Sequence, residues 1–351
     1  MENANLLDPR NQSPAEFFKL CIEIGVNERN SRRWLGRVIG QGEYDPLLWS
    51  KASIIPKSLL EDYRGDTLES LKLEDVTTST KDGFRKLLFR TADSLPLETV
   101  LIPLHKKGML TVCLSSQVGC VMACTFCATG RMAERRSLET WEIVDQLVQA
   151  RKIATACGQQ ISGVVFMGMG EPFLNYDRVI AAAELISFPV INAISAKAIT
   201  ISTVGVLSKI NRFTEEDHPY RLSISLGAAT DEKRAKLVPV AARTPISKVL
   251  AAARRHAEKR QDRIMLSYVC ISGENVSAED AKALGDLIQD TPVRLDLIEV
   301  TDSTGRYQPP SQQEFSDFRD ALSRYVKHPI VRRYSGGADI QAACGTLAGR
   351  A

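Results

Sequence analysis

The chain has 351 residues, 44% hydrophobic and 25% charged, with a formal net charge of +3. That composition fits a soluble globular protein with room for one large domain and a small one, and excludes a disordered or low-complexity chain. The charged opening, 1–10, is no secretory signal, no run is long enough to cross a bilayer, and the small positive charge permits a nucleic-acid partner without demanding one.

Short helices are predicted over 14–24, 30–39 and 55–63, separated by Gly and Pro, as at Gly40-Gln41-Gly42. The sharpest basic run, Arg29, Arg32, Arg33 and Arg37 around Trp34, lies at the second of these. Taken alone, a solvated helix face with one buried aromatic accounts for it better than a nucleic-acid contact does. Segments 75–80 and 84–88 then read as a hairpin around Lys81-Asp82-Gly83. From about residue 100 the pattern changes to alternation. Apolar strand-like runs are predicted over 111–115, 164–168, 198–204, 221–227, 264–270 and 293–300. Helical patterns over 138–154, 177–188, 209–216, 246–260 and 278–288 lie between them, with a last helix over 312–326. Strict βα alternation with continuous Val/Ile/Leu strands implies parallel strands covered by helices. Six units are too few for the closed eight-unit barrel. The expected fold is therefore α/β, an open partial (β/α)6 barrel over 95–351, preceded by a small helical domain with a β lead-in over 1–94.

Three of the eight cysteines crowd into Cys120-x3-Cys124-x2-Cys127, just after the first barrel strand, where α/β barrels place their chemistry. Three thiolates can hold three irons of a [4Fe-4S] cluster and leave the fourth open. A structural zinc site normally wants four protein ligands, and no fourth Cys or His lies nearby. The second strand runs into Gly168-Met-Gly170-Glu171-Pro172, where glycines let the backbone approach a ligand and Glu171 can accept from an amino group. Ser202 closes the third strand, and Ser225-Leu226-Gly227 the fourth. Hydroxyls and glycine there suit a ribose and a carboxylate, although each could be an ordinary strand end.

Together these residues resemble the radical S-adenosylmethionine (SAM) superfamily. The likeness extends to Glu98-Thr-Val100, to Cys113 seven residues before the cluster motif, and to the ending Asp339-Ile-Gln-Ala-Ala-Cys344-Gly, which are similar to the RlmN/Cfr family of RNA adenine methyltransferases. The resemblance covers nearly the whole chain. It implies a radical-type partial barrel, a [4Fe-4S] cluster on Cys120, Cys124 and Cys127, and SAM contacts at Gly170, Glu171, Ser202, Ser225, Leu226, Gly227 and Thr301. It further implies that Cys344 takes a methyl group from one SAM and that a radical made from a second SAM activates this methyl for addition to an adenine carbon. Cys113 then releases the product through a transient disulfide, and Glu98 takes the ring proton. C2 is favoured over C8, the substrate being 23S ribosomal RNA and, as a second target, transfer RNA.

Two departures mark the chain as a divergent member. Many relatives carry a histidine where this chain has Gly227, and an asparagine where it has Thr301, followed by Asp302. Cys21, Cys157 and Cys270 read as packing cysteines. The expected partners are RNA and an electron donor such as flavodoxin or ferredoxin, with a monomeric protein, no membrane and a reducing cytoplasm. The rival readings are a radical-SAM enzyme with another substrate, for which Cys113 and Cys344 would be dispensable, and a non-catalytic RNA-binding relative.

Overall fold

The computed structural model describes residues 8–58, 67–190 and 192–349. Three short helices come first, α1 (Pro14–Glu23), α2 (Glu28–Leu35) and α3 (Pro46–Lys51). Ser13 and Glu16 form a reciprocal capping box, and Asn27 and Asp45 each accept an N–H from the first turn of the helix that follows. The helix predicted over 30–39 is α-helical only to Leu35 and then widens into a π-turn, Gly36–Gln41, ended by left-handed Gly42. Trp34 packs 5.3 Å from both Phe17 and Trp49, ring centre to ring centre, and all three are fully buried. Beyond its first residues, the helix predicted over 55–63 lies outside the described residues.

The strands are β1 (Lys72–Thr78), β2 (Arg85–Arg90), β3 (Pro96–Pro103), β4 (Met109–Leu114), β5 (Gln117–Val118), β6 (Arg136–Ser137), β7 (Gln160–Phe166), β8 (Ile199–Thr203), β9 (Arg221–Ser225), β10 (Ile264–Cys270), β11 (Val293–Glu299) and β12 (Ile330–Arg332). Ten of them form one sheet in the order β1-β2-β3-β4-β7-β8-β9-β10-β11-β12, and β5 pairs only with β6. Pairing is antiparallel from β1 to β4 and parallel from β4 to β12. All six predicted barrel strands are present. A seventh parallel strand, β12, is three residues long and carries no apolar run to announce it. The predicted hairpin also forms, but β2 bonds directly to β3, so the lead-in is continuous with the barrel sheet across residue 94. The outer strands β1 and β12 do not pair, and the barrel stays open.

The connecting helices are α4 (Thr140–Ala156), α5 (Tyr176–Ser187), α6 (Leu207–Glu215), α7 (Asp231–Leu237), α8 (Ile246–Arg260), α9 (Ala278–Ile288) and α10 (Gln312–Ser323). The N-terminal helices are fastened to this body by charge. The fully buried Arg10 side chain pairs with Asp8 at 2.7 Å and with Asp145 of α4 at 3.3 Å, while Asp145 also accepts the Leu71 N–H at 2.7 Å. A cation is tolerated at such a depth because several acceptors replace its water. Among the described residues no helix is long and apolar enough to cross a membrane.

One buried group makes the fold acid-sensitive. His256 on α8 is 4% exposed, stands 3.1 Å from the Thr214 hydroxyl and packs on Phe213. Burial, reinforced by Arg260, lowers its pKa from 6.5 to about 4. Above pH 6.5 the group is neutral in both states and contributes no pH dependence. Below that the unfolded chain takes up a proton that the folded chain refuses, so stability falls as pH drops toward 4. Urea unfolding at pH 7.5 and pH 5 should show a loss that shrinks by about 2 kcal/mol in His256→Phe.

Candidate active site

The loop after β4 is pinched shut at its base, where Gln117 pairs with Ser137 and Val118 with Arg136. This ladder forces a tight turn at Gly119, whose φ is +63° and where a Cβ would lie 2.2 Å from the Glu134 carbonyl oxygen. Only glycine fits there. From the loop, Cys120, Cys124 and Cys127 line one cavity of about 220 Å³. Beneath it Gln146 of α4 locks the strand ends: its carbonyl accepts from the Thr99 hydroxyl and the Ser115 N–H, both at 2.8 Å, and its amide donates to Ser115 O at 3.0 Å.

The second strand end is bound to the first. Gly168 N–H donates to Leu114 O at 3.0 Å and Met169 N–H to the Ser115 hydroxyl at 2.8 Å. Gly170, with φ +100°, lies against Gln117 so closely that a Cβ would come 2.5 Å from that residue's own Cβ. Glu171 is 3% exposed and lines the cavity. Its two oxygens accept N–H bonds from Phe173 and Val204, each at 2.9 Å. Burial raises its pKa to about 7, against the pull of those hydrogen bonds.

Ser202 and Ser225 also line the cavity, as does Ser267 of β10, which pairs with Ser225 across the sheet. Sequence reasoning missed Ser267, although a hydroxyl within an apolar parallel strand is a usable signal. Leu226, Gly227 and Thr301 are not on the cavity wall. Leu226 is fully buried and its N–H bonds to Ser267 O. Gly227 has φ +75°, and a Cβ there would stand 3.0 Å from Val238, which fills the space beside it. Asp302, next to Thr301, is taken up by its own turn, accepting from Thr304 and Tyr307.

Cys113 and Cys344 face the same cavity from opposite origins, one on β4 and one on the chain that follows β12. Burial pushes the Cys113 thiol up to about 12, and the nearby Cys344 raises it further while Arg333 opposes the shift. Cys344 is exposed to the open cavity, yet protein packed about its sulfur also raises its pKa, again with Arg333 opposing. Arg333 thus acts electrostatically on both thiols. It lines the cavity, and its guanidinium rests 3.4 Å from the Met167 sulfur. Nothing in its sequence context set it apart from its neighbour Arg332. Glu98 is 1% exposed and is absent from the cavity wall.

All eight cysteines are free thiols. Among the described residues, no three His, Cys, Asp or Glu side chains gather tightly enough to hold a single metal ion. Three soft donors spread round one cavity fit instead a group with several metal corners, as a [4Fe-4S] cluster has. Burial pushes the Cys120 thiol to about 12 and Cys124 well above the usual thiol value, so loading such a group releases protons.

Comparison with known proteins decides the family. The Radical SAM superfamily model matches residues 114–284. A probable RNA methyltransferase of Anaeromyxobacter sp. (strain Fw109-5) is 45% identical over 94% of this chain and 96% of its own length. A probable dual-specificity RNA methyltransferase RlmN of Symbiobacterium thermophilum is 38% identical over 96% of this chain and 90% of its own. The chain belongs to the RlmN family of radical SAM RNA methyltransferases. The crystal structure of a radical SAM methyltransferase from Sphaerobacter thermophilus superposes with a TM-score of 0.88 at 33% identity, covering 98% of this chain and all of the other. Membership of the superfamily implies a [4Fe-4S] cluster and SAM.

The glycine at 170 offers a direct test of how tightly the cavity floor is built. Gly170→Ala places a side chain in a left-handed conformation against Gln117 and should cost about 2–3 kcal/mol in urea unfolding. An unchanged midpoint would show that the floor yields freely.

Proposed function

We propose that this protein methylates a ring carbon of adenine in RNA, C2 in preference to C8, with 23S ribosomal RNA as substrate and transfer RNA as a second one. The observation that carries this reading is that Cys113, Cys344 and Arg333 line the same cavity as Cys120, Cys124 and Cys127, with Arg333 opposing the rise in pKa of both outlying thiols. Relatives named dual-specificity RNA methyltransferases share most of the chain, which supports RNA as the substrate.

Adenine C2 and C8 are electron-poor and cannot displace a methyl group from a sulfonium by direct attack, so the carbon must be reached by a radical route. Cys120, Cys124 and Cys127 would hold the cluster, with Gly170, Glu171, Ser202 and Ser225 binding SAM beside it. Ser267 joins this group by its place on the wall. When bound, the cluster and SAM supply a carbon-centred radical able to take a hydrogen atom from a methyl thioether. Cys344, as thiolate, accepts the methyl group and presents it to the base. The base adduct would give up its ring proton to a base and one electron to the cluster. Cys113, as thiolate, then attacks the Cys344 sulfur, the bond from that sulfur to the methylene carbon breaks, and the carbon takes up a proton to leave methylated adenine. A reductant reopens the Cys113–Cys344 disulfide before the next turnover. Arg333 favours the anionic form of both thiols at the moments when each must be a nucleophile.

An adenine in structured RNA has to leave its stack to enter a cavity of this size. The N-terminal helices are a candidate for backbone contacts, but three of the four arginines are already engaged. Arg32 pairs with Glu28, Arg33 bonds Asn30 and Arg37 pairs with Glu43. Exposed pairs of this kind are weak enough for phosphates to displace. We further propose a monomer working in the cytoplasm with flavodoxin or ferredoxin as the electron donor.

The decisive experiment is mass spectrometry of RNA nucleosides from cells with and without the gene. Cells lacking it should lose 2-methyladenosine, and complementation with Cys344→Ala should restore less than about 1% of it, because the methyl carrier itself is missing. Loss of 8-methyladenosine instead would move the target carbon. Full activity of the Cys344→Ala protein would remove the two-cysteine route.

A further inference from the structure

Glu98 is better placed to hold the chain end than to take a proton. The rung Lys86, Val100, Cys113 runs across β2, β3 and β4. Side chains alternate along a strand, so Glu98, two residues from Val100, shares the sheet face that carries Lys86 and Cys113. There one carboxylate oxygen meets the Lys86 ammonium at 3.1 Å, with the side chains 1% and 3% exposed. The other oxygen accepts the N–H groups of Ala348 and Gly349 at 2.7 and 2.9 Å. Gly349 is left-handed, φ +68°, and lies so close to Pro96 that a Cβ would come 2.5 Å from its ring.

On the other side of Cys344 the chain is held by the turn between β1 and β2. Asp82 accepts the Gly337 N–H and the Tyr334 hydroxyl, each at 2.8 Å, and Ser79 donates to Asp339 at 3.1 Å. Between these points the Ser335 hydroxyl accepts the Cys344 N–H at 2.9 Å. The thiol therefore sits on a strap fastened at both ends by buried or half-buried acceptors. Charge-assisted bonds to backbone N–H groups are among the stronger ones available. Three contacts already fall on this carboxylate, and taking a proton would remove the charge that strengthens them.

We propose that Glu98 is a positioning residue, which pins the chain just beyond Cys344 so that the Cys344 thiol faces Cys113, and that it is not the proton acceptor. The assignment rests on reading Cys344 as the methyl carrier.

Amide hydrogen exchange and thiol cross-linking on the anaerobic holoenzyme test it. Glu98→Leu alone would take the carboxylate from a buried ion pair with Lys86, so Lys86→Met is combined with either Glu98→Gln or Glu98→Leu. Glutamine keeps a carbonyl oxygen for Ala348 and Gly349 but is no base at neutral pH; leucine keeps neither property. In the leucine variant the amides of Ala348 and Gly349 should exchange about tenfold faster than in the wild type, since their acceptor is gone. Diamide-driven formation of the disulfide between Cys113 and Cys344 should slow in the same variant, and the glutamine variant should recover both properties. Loss in both variants would also support the pin, showing that it needs the charge as well as an acceptor. Wild-type exchange and cross-linking in the leucine variant would overturn it. So would a glutamine variant with wild-type protection that accumulates an unresolved RNA–protein adduct, because that is what a missing proton acceptor leaves behind. Methylation by Cys344→Ala would instead defeat the methyl-carrier reading while leaving these exchange results intact.

Discussion

The change from antiparallel to parallel pairing at β4 is the constraint on which the site depends. Parallel strands deliver all their carboxyl ends to one rim, whereas antiparallel neighbours arrive there by their beginnings. At β4 the rim therefore receives the cysteine loop after Leu114 and the Gly168 turn after β7. From the other side it receives the start of β3. This is why the Ser115 hydroxyl can donate to Glu98 O at 2.6 Å while accepting from Met169 N–H at 2.8 Å. One serine thereby ties together three strand ends that are far apart in sequence. The lead-in hairpin is part of the same construction, since Phe84 from its turn lines the cavity.

Burial works against the chemistry the thiols must perform. A thiol with a pKa near 12, as at Cys113, is ionised in roughly one molecule in 10⁵ at pH 7. Reactive cysteines elsewhere gain their thiolate from neighbouring positive charge. Here Arg333 supplies that charge, and it is shared between the two thiols rather than dedicated to one. The sharing suits two cysteines that act as nucleophiles at different stages.

Much of the fold was legible because each of the six long parallel strands carries several Val, Ile or Leu residues and is followed by a helical pattern, even where polar residues interrupt it, as in β9 and β11. β12 was not, because a three-residue strand with Arg332 at its end is too short to show that pattern. The π-turn after Leu35 was hidden for a related reason: its residues have helical composition, and only the backbone shows the widening. Within the site, Cys120, Cys124, Cys127, Gly170 and Glu171 stood out because their spacing alone suggests a ligand set. Ser202 and Ser225 followed from their places at strand ends. Leu226, Gly227 and Thr301 did not reach the cavity, since nearness in sequence to a strand end does not say which way the next residues turn. Arg333 and the engagement of Glu98 depend on where the chain after β12 returns across the sheet. No local pattern encodes that return.

The return path also settles what kind of segment carries Cys344. A cysteine after Gly336 and Gly337 near the chain end reads as the centre of a mobile loop, and a methyl carrier that visits several partners would seem to need one. The segment is instead bonded along its length: to Asp82 before the cysteine, to Ala128 through Gly345 O at 2.7 Å, to Thr129 through Leu347 O at 2.7 Å, and to Glu98 at its end. At about 1 kcal/mol for each neutral bond and more for those to a carboxylate, releasing the whole strap costs several kcal/mol. The segment therefore spends nearly all its time in the bonded position. Two of the bonds, however, are made to Ala128 and Thr129 beside Cys127, so the strap and the cysteine loop share a boundary. Any change in that loop is felt at Cys344 directly. The strap therefore holds the thiol at the wall it shares with Cys113 and Cys127.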